Sequence, residues 1–284
     1  MSANRSAGVW LDRDFPEGRY GGFRPLASAK LGRLTRRWQM QISNISELSS
    51  QAEELFKGTK TRWWFRGHEA ASYKLLPKVR RGYSREEERY LFYHFYPRAS
   101  LRHQKCPADN DLAGWLALMQ HYGLPTRLLD WTWSPLIAAF FATQDARTTS
   151  SRDACIWAIE PSLLNESQGL ERLYPPLNAN MIRPFLKPAR YGKSREPEKV
   201  AAATPIEADL RMLVQQGAFT VHSSTHELNS LGGSNRWLRQ ILIPIECKVN
   251  IAKELAILGV RPADLFPDLG NLAKEAMEAY VPRP

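Results

Sequence analysis

Three cysteines in 284 residues, Cys106, Cys155 and Cys247, leave nothing from which to build a disulfide framework. Their odd number and long spacings also exclude a paired zinc motif, and free thiols suit a reducing compartment. Long apolar runs are missing as well. The longest covers eight residues, "PLIAAFFA" from Pro135, where a membrane helix needs roughly twenty. The first residues lack the charged-then-apolar pattern of a secretion signal. No His-Glu-x-x-His, Gly-x-Ser-x-Gly or Gly-x-Gly-x-x-Gly is present, and the six histidines form no ligand-like cluster in sequence. The expectation is a cytoplasmic protein without metal or membrane contact.

Acidic residues are scarce relative to basic ones, 29 against 39, for a net charge of +10. The excess is unevenly placed. Residues 1–40 carry eight Lys or Arg against three acids, and residues 183–199 carry six against two. Such stretches can meet phosphate-rich partners, so they are candidate contacts for a nucleic-acid or protein acceptor. Residues 1–40, rich in Gly, Ser, Arg and Pro without periodicity, read as a basic flexible arm preceding a domain over 41–284.

What is present reads as mixed α and β. "SNISELSSQAEELFKG" predicts a helix capped by Ser43 or Ser46 and stopped by Gly58. "TRWWFRG" predicts a strand ending in a glycine turn. "SREEERYLFYHFYPRAS" predicts a helix with Glu86, Glu87 and Glu88 at its positive end. "DNDLAGWLALMQHYG" predicts another, capped by Asp109 or Asn110, with Leu112, Trp115, Leu116 and Met119 on one face. "TRLLDWT" is a short apolar segment closed by Asp130. Ser134 and Pro135 then open a helix so apolar that it must be buried. "ACIWAIEP", "QGAFTVHSS" and "RWLRQILIPIE" predict strands, a loop-rich basic insert covers about 162–205, and helices close the chain. With no regular βαβ series, the fold class is α+β: a mixed, mostly antiparallel sheet with flanking helices.

Three apolar runs end in polar groups that packing alone would not select. The first ends in Arg66-Gly67-His68. Arg66 offers a planar fork of donors suited to phosphate, or an ordinary surface ion pair. Gly67 permits a sharp turn or a close approach to a ligand. The second, Gln120 to Ala142, gathers His121, Tyr122, Thr126, Arg127, Asp130, Trp131, Thr132 and Ser134 before a buried helix whose free amides suit an anion. Arg127 and Asp130 are close enough in sequence to pair with each other. The third places Gln215 and Gln216 before Gly217 and a strand. Aromatics interleaved with cations, Trp63, Trp64 and Arg66 or Arg127, Trp131 and Trp133, would also suit base stacking in a non-catalytic nucleic-acid or nucleotide-binding module.

These stretches, "WWFRGHEAASYKLLPKV", "ALMQHYGLPTRLLDWTWSPLIAAFFA", "RMLVQQGAFTVH" and "LGVRPADLFPDLGNLAKE", resemble the FRG domain, whose Phe-Arg-Gly stands here as Phe65-Arg66-Gly67. The layout is also similar to that of the ADP-ribosyltransferase superfamily. That resemblance implies an NAD-consuming transferase or glycohydrolase, acting as a bacterial toxin or phage-defence effector, with NAD as substrate. It implies that Arg66 holds the NAD diphosphate or ribose with Gly67 and His68 beside it. His121, Tyr122, Arg127 and Trp131 would complete the cofactor wall, with Thr126, Asp130 or Ser134 on the nicotinamide side. The superfamily's third strand carries Gln-x-Glu, where this chain has Gln215-Gln216-Gly217. The resemblance therefore puts Gln215 or Gln216 near the third catalytic position and Asp130, or failing that Glu207, in the role of the carboxylate.

Overall fold

The structure, a computed structural model, describes residues 39–59, 61–147, 152–192, 197–206 and 210–280. The basic arm up to residue 38, Glu207, and residues 193–196 of the second basic stretch lie outside the described residues. Seven strands form one sheet: β1 (Gln39–Gln41), β2 (Trp64–His68), β3 (Leu128–Thr132), β4 (Ala154–Ile159), β5 (Val200–Ala203), β6 (Gly217–His222) and β7 (Leu238–Ile243). Their spatial order is β1-β7-β4-β2-β3-β6-β5. Only β1 and β7 run parallel; every other neighbouring pair is antiparallel. The α+β reading therefore holds, with β1 an additional short edge that has too few residues to show a period.

Helices α1 (Ile45–Phe56), α2 (Arg85–Ala99), α3 (Leu112–His121), α4 (Pro135–Ala142), α5 (Pro161–Ser167), α6 (Arg183–Leu186), α7 (Leu210–Val214), α8 (Ile245–Ile257), α9 (Pro262–Leu265) and α10 (Leu269–Tyr280) flank the sheet. None is long and apolar enough to cross a membrane among the described residues. Leu112, Trp115, Leu116 and Met119 of α3 are all buried, as their spacing requires. Two caps sit elsewhere than expected. Asn44, not Ser43 or Ser46, accepts the Glu47 amide of α1, and Asp111, not Asp109 or Asn110, accepts the Gly114 amide of α3. Every one of these residue types is a good cap, and the register of the first turn decides among neighbours. The 162–205 stretch is more ordered than its prolines suggest: it holds α5, α6 and β5. The Asn165 side chain stitches α5 to β5 through both the amide and the carbonyl of Ala202.

The reading of "TRWWFRG" is corrected at its last residue. Gly67 is no turn, because β2 runs on to His68 with Gly67 paired to Ile156. The glycine is needed on the other side. A Cβ there would lie 2.0 Å from the Ala138 carbonyl oxygen and 2.6 Å from the Ala142 amide nitrogen, so α4 rests directly on the strand backbone. Ala138 and Ala142, one turn apart on α4, form the other half of that contact.

Glu88 belongs to an ion cluster rather than to helix-dipole chemistry alone. Ser84 and Glu87 form the capping box of α2. Glu88 turns inward to receive Arg127 Nε at 2.8 Å and Nη2 at 2.6 Å, with Arg80 Nη1 at 3.5 Å. Arg127 also donates to the Phe185 carbonyl at 2.6 Å. Removing one partner of a buried pair strands the other charge. Arg127→Met is therefore expected to cost about 3–5 kcal/mol in urea unfolding, a loss that double substitution with Glu88→Leu should partly restore.

Candidate functional site

The sheet comes apart at one seam. Between β2 and β3 the only paired residues are Phe65 and Thr132. Continuing that register would bring Gly67 opposite Asp130, but the strands have diverged by then. From there β2 is paired only to β4, and β3 only to β6. Arg66 braces the gap: its Nη1 donates to the Asp130 carbonyl at 2.8 Å, supplying a partner that a neighbouring strand would normally provide. The wedge encloses about 60 Å³ and is lined by Arg66, His68, Tyr73, Asp130, Phe141 and Gln215, among others.

Electrostatics divide the two titratable groups flanking the brace. Arg66 Nε donates to His68 Nε2 at 3.0 Å. Guanidinium nitrogen can only donate, so Nε2 is an acceptor and the imidazole proton sits on Nδ1. Burial, then the charges of Arg66 and Arg81, hold the His68 pKa well below its ordinary value. His68 is thus a fixed neutral donor, and its Nδ1 is buried without a protein partner. Asp130 is the converse. Burial pushes its carboxyl up to about 7, against the opposing pull of Arg66, a Gln120 hydrogen bond and Arg211. One oxygen, Oδ2, accepts from Gln120 Nε2 at 2.6 Å, while Oδ1 is buried with no hydrogen-bond partner. A carboxyl that titrates near neutrality in a cleft has the acidity that proton transfer needs.

Residues 61–151 match the family model of the FRG domain. This chain carries an FRG domain. The matched stretch supplies β2, β3 and α4, hence both lips of the seam and the helix on which one of them rests. No curated protein and no solved structure matches.

Around the FRG seam, the structure brings together Arg66, Gly67, His68, Asp130, Trp131 and Gln215. Gln215 comes with its side-chain nitrogen committed to the Leu265 carbonyl at 2.9 Å, and its backbone carbonyl receives the Thr132 hydroxyl at 2.7 Å. Trp131 turns its indole nitrogen to Thr220 at 3.0 Å inside the core. Gln216 is exposed, does not line the cleft, and takes the left-handed conformation at φ 47° that starts β6. Arg127 pairs with Glu88 rather than Asp130, and Ser134 caps α4 by accepting the Ile137 amide at 3.3 Å. His121 and Tyr122, their rings 5.0 Å apart at the end of α3, lie off the cleft lining, as does Thr126. Of the residues that suited base stacking, Trp63, Trp64, Arg127 and Trp131 are at most 4% exposed, out of reach of a base, while Arg66 and Trp133 are half-buried. Reading the sequence alone overlooked Tyr73, Gln120 and Phe141. Gln120 had a detectable signal, being a polar residue one step before the end of an otherwise apolar helix.

Proposed function

We propose that the seam of this FRG domain cleaves the N-glycosidic bond of NAD, transferring ADP-ribose to water or to an acceptor group. The observation that carries this reading is Asp130: a buried carboxyl with one unpartnered oxygen, poised near neutral pH beside the Arg66 brace. Nicotinamide leaves with the electron pair of the bond it breaks and needs no proton. The sugar carbon left behind becomes cation-like, and an ionised Asp130 stabilises it at short range in a site sheltered from water. The attacking oxygen then surrenders its proton to the same carboxylate. His68 contributes a donor for a substrate oxygen. Arg66 acts through the shape and charge of the site, since Nε and Nη1 are already engaged by His68 and the Asp130 carbonyl. At about 60 Å³ the wedge suits a ring-sized group, because a single water needs roughly 10–15 Å³ on such a measure, and the rest of the dinucleotide lies outside it.

Incubation of the purified protein with NAD is expected to release nicotinamide, seen by chromatography. Label from the adenylate moiety, followed in parallel, separates hydrolysis from transfer to protein or nucleic acid. An NAD pool left intact in the presence of candidate proteins, DNA and RNA, with no heat of NAD binding by calorimetry, would overturn the proposal.

A further inference from the structure

We infer that Thr126 and Gln120 form a positioning relay that clamps one oxygen of Asp130 and confines its reactive proton to the other. The hydrogen bonds leave little freedom. The Leu128 amide donates to the Thr126 hydroxyl oxygen at 3.2 Å, so the hydroxyl proton is turned towards Gln120 Oε1, with which Thr126 makes a short contact. That fixes which end of the Gln120 amide is oxygen. Its nitrogen then meets two acceptors, Asp130 Oδ2 at 2.6 Å and the Leu128 carbonyl at 3.4 Å. A flipped amide would set its oxygen against both of these acceptors and lose both bonds, while gaining nothing that the Thr126 contact does not already supply. Oδ2 therefore faces a donor and takes up a proton only by weakening that bond. Oδ1, which has no protein partner, is the oxygen left to bind and release a proton.

The relay is distinct from the other groups that act on the carboxyl. Arg66 from β2 and Arg211 from α7 act on it by charge, while His68, Glu69 and Tyr73 share the cleft lining. Thr126 and Gln120 are uncharged and lie off the lining, so their effect is orientation and hydrogen bonding. As positioning residues for the proposed reaction, they rest on that reading for their catalytic readout but not for their effect on Asp130.

The test is Thr126→Val, near-isosteric and lacking the hydroxyl, with Thr126→Ser as the conservative partner and Gln120→Leu as the stronger change. Carbon-13 NMR of aspartate-labelled protein reads the Asp130 titration with no substrate present. Thr126→Val and Gln120→Leu should each move its midpoint up by one pH unit or more, and Thr126→Ser should hold it within a few tenths. If NAD is cleaved, Thr126→Val should also lower kcat about tenfold at pH 7 with KM unchanged, and should carry the acid limb upward with the midpoint. An Asp130 midpoint identical in wild type and folded Thr126→Val overturns the relay, whether or not NAD is a substrate. A wild type inert towards NAD but with shifted midpoints in the variants overturns the proposed reaction and leaves the relay standing.

Discussion

Asp130→Asn is expected to lose activity and gain stability together. Removing the proton acceptor from the seam should lower nicotinamide release by about 10²–10⁴-fold, the usual worth of a positioned acid or base. In the wild type, kcat/KM should rise with pH and level off with a midpoint near the Asp130 value of about 7, because the ionised form is the useful one. Stability runs the other way. The folded carboxyl holds its proton up to about 7, while the unfolded one releases it near the ordinary value of 3.8. Between those values the native state binds a proton that the unfolded state has lost, so native stability falls as pH rises through that window. At pH 8 the folded protein bears the full cost of an ionised, buried Asp130, and asparagine removes it. Thermal unfolding should therefore show Asp130→Asn more stable than wild type at pH 8, by up to roughly 4 kcal/mol, with the gap closing towards pH 4. A variant that is less stable at both pH values would show that Asp130 holds the fold together rather than serving the cleft at the fold's expense.

Gly67→Ala is the change expected to damage the fold most for its size. One methyl group placed 2.0 Å from a backbone carbonyl oxygen and 2.6 Å from a backbone amide cannot be absorbed by a rotamer change, since both neighbours belong to α4 itself. The helix would have to lift off β2, opening the contact with Ala138 and Ala142, which are completely buried. Overpacking of a tight core costs about 1–3 kcal/mol when side chains can adjust, and the backbone contact here puts the cost at about 3 kcal/mol or more. Chemical denaturation should show that loss, or expression should yield no folded protein. Gly232→Ala, whose added methyl meets nothing within 4 Å, serves as the control and should change little. Equal effects at the two glycines would mean that α4 does not sit on the strand as described.

Much of the framework was legible in the residues. The apolar runs around Trp64, Leu129, Ile156, Val221 and Ile241 have the length and composition of strands, and all five are buried. The buried character of α4 follows from eight residues with no polar face, and its Ser134 cap and Pro135 start follow from local chemistry. Arg66, His68 and Asp130 stood out because each ends or interrupts such a run with a group that packing does not require.

The rest depended on neighbours distant in the chain. Nothing local to "FRGH" distinguishes a glycine in a turn from a glycine beneath a helix; Ala138, 71 positions on, decides it. Arg127, just before β3, looked ready to pair with Asp130 three residues away, yet its partner is Glu88 from α2. Freed from that pairing, Asp130 is left to burial, opposed by the charge of Arg66, the Gln120 hydrogen bond and the charge of Arg211. Local composition and period determined most of the strands and helices of this protein, because those depend on a few adjacent residues, whereas β1, β5, α6 and the exact caps of α1 and α3 did not follow from them. Where the sheet parts, which charges meet and how acidic Asp130 becomes were decided only in the folded molecule, because desolvation and ion pairing are properties of what surrounds a group in space.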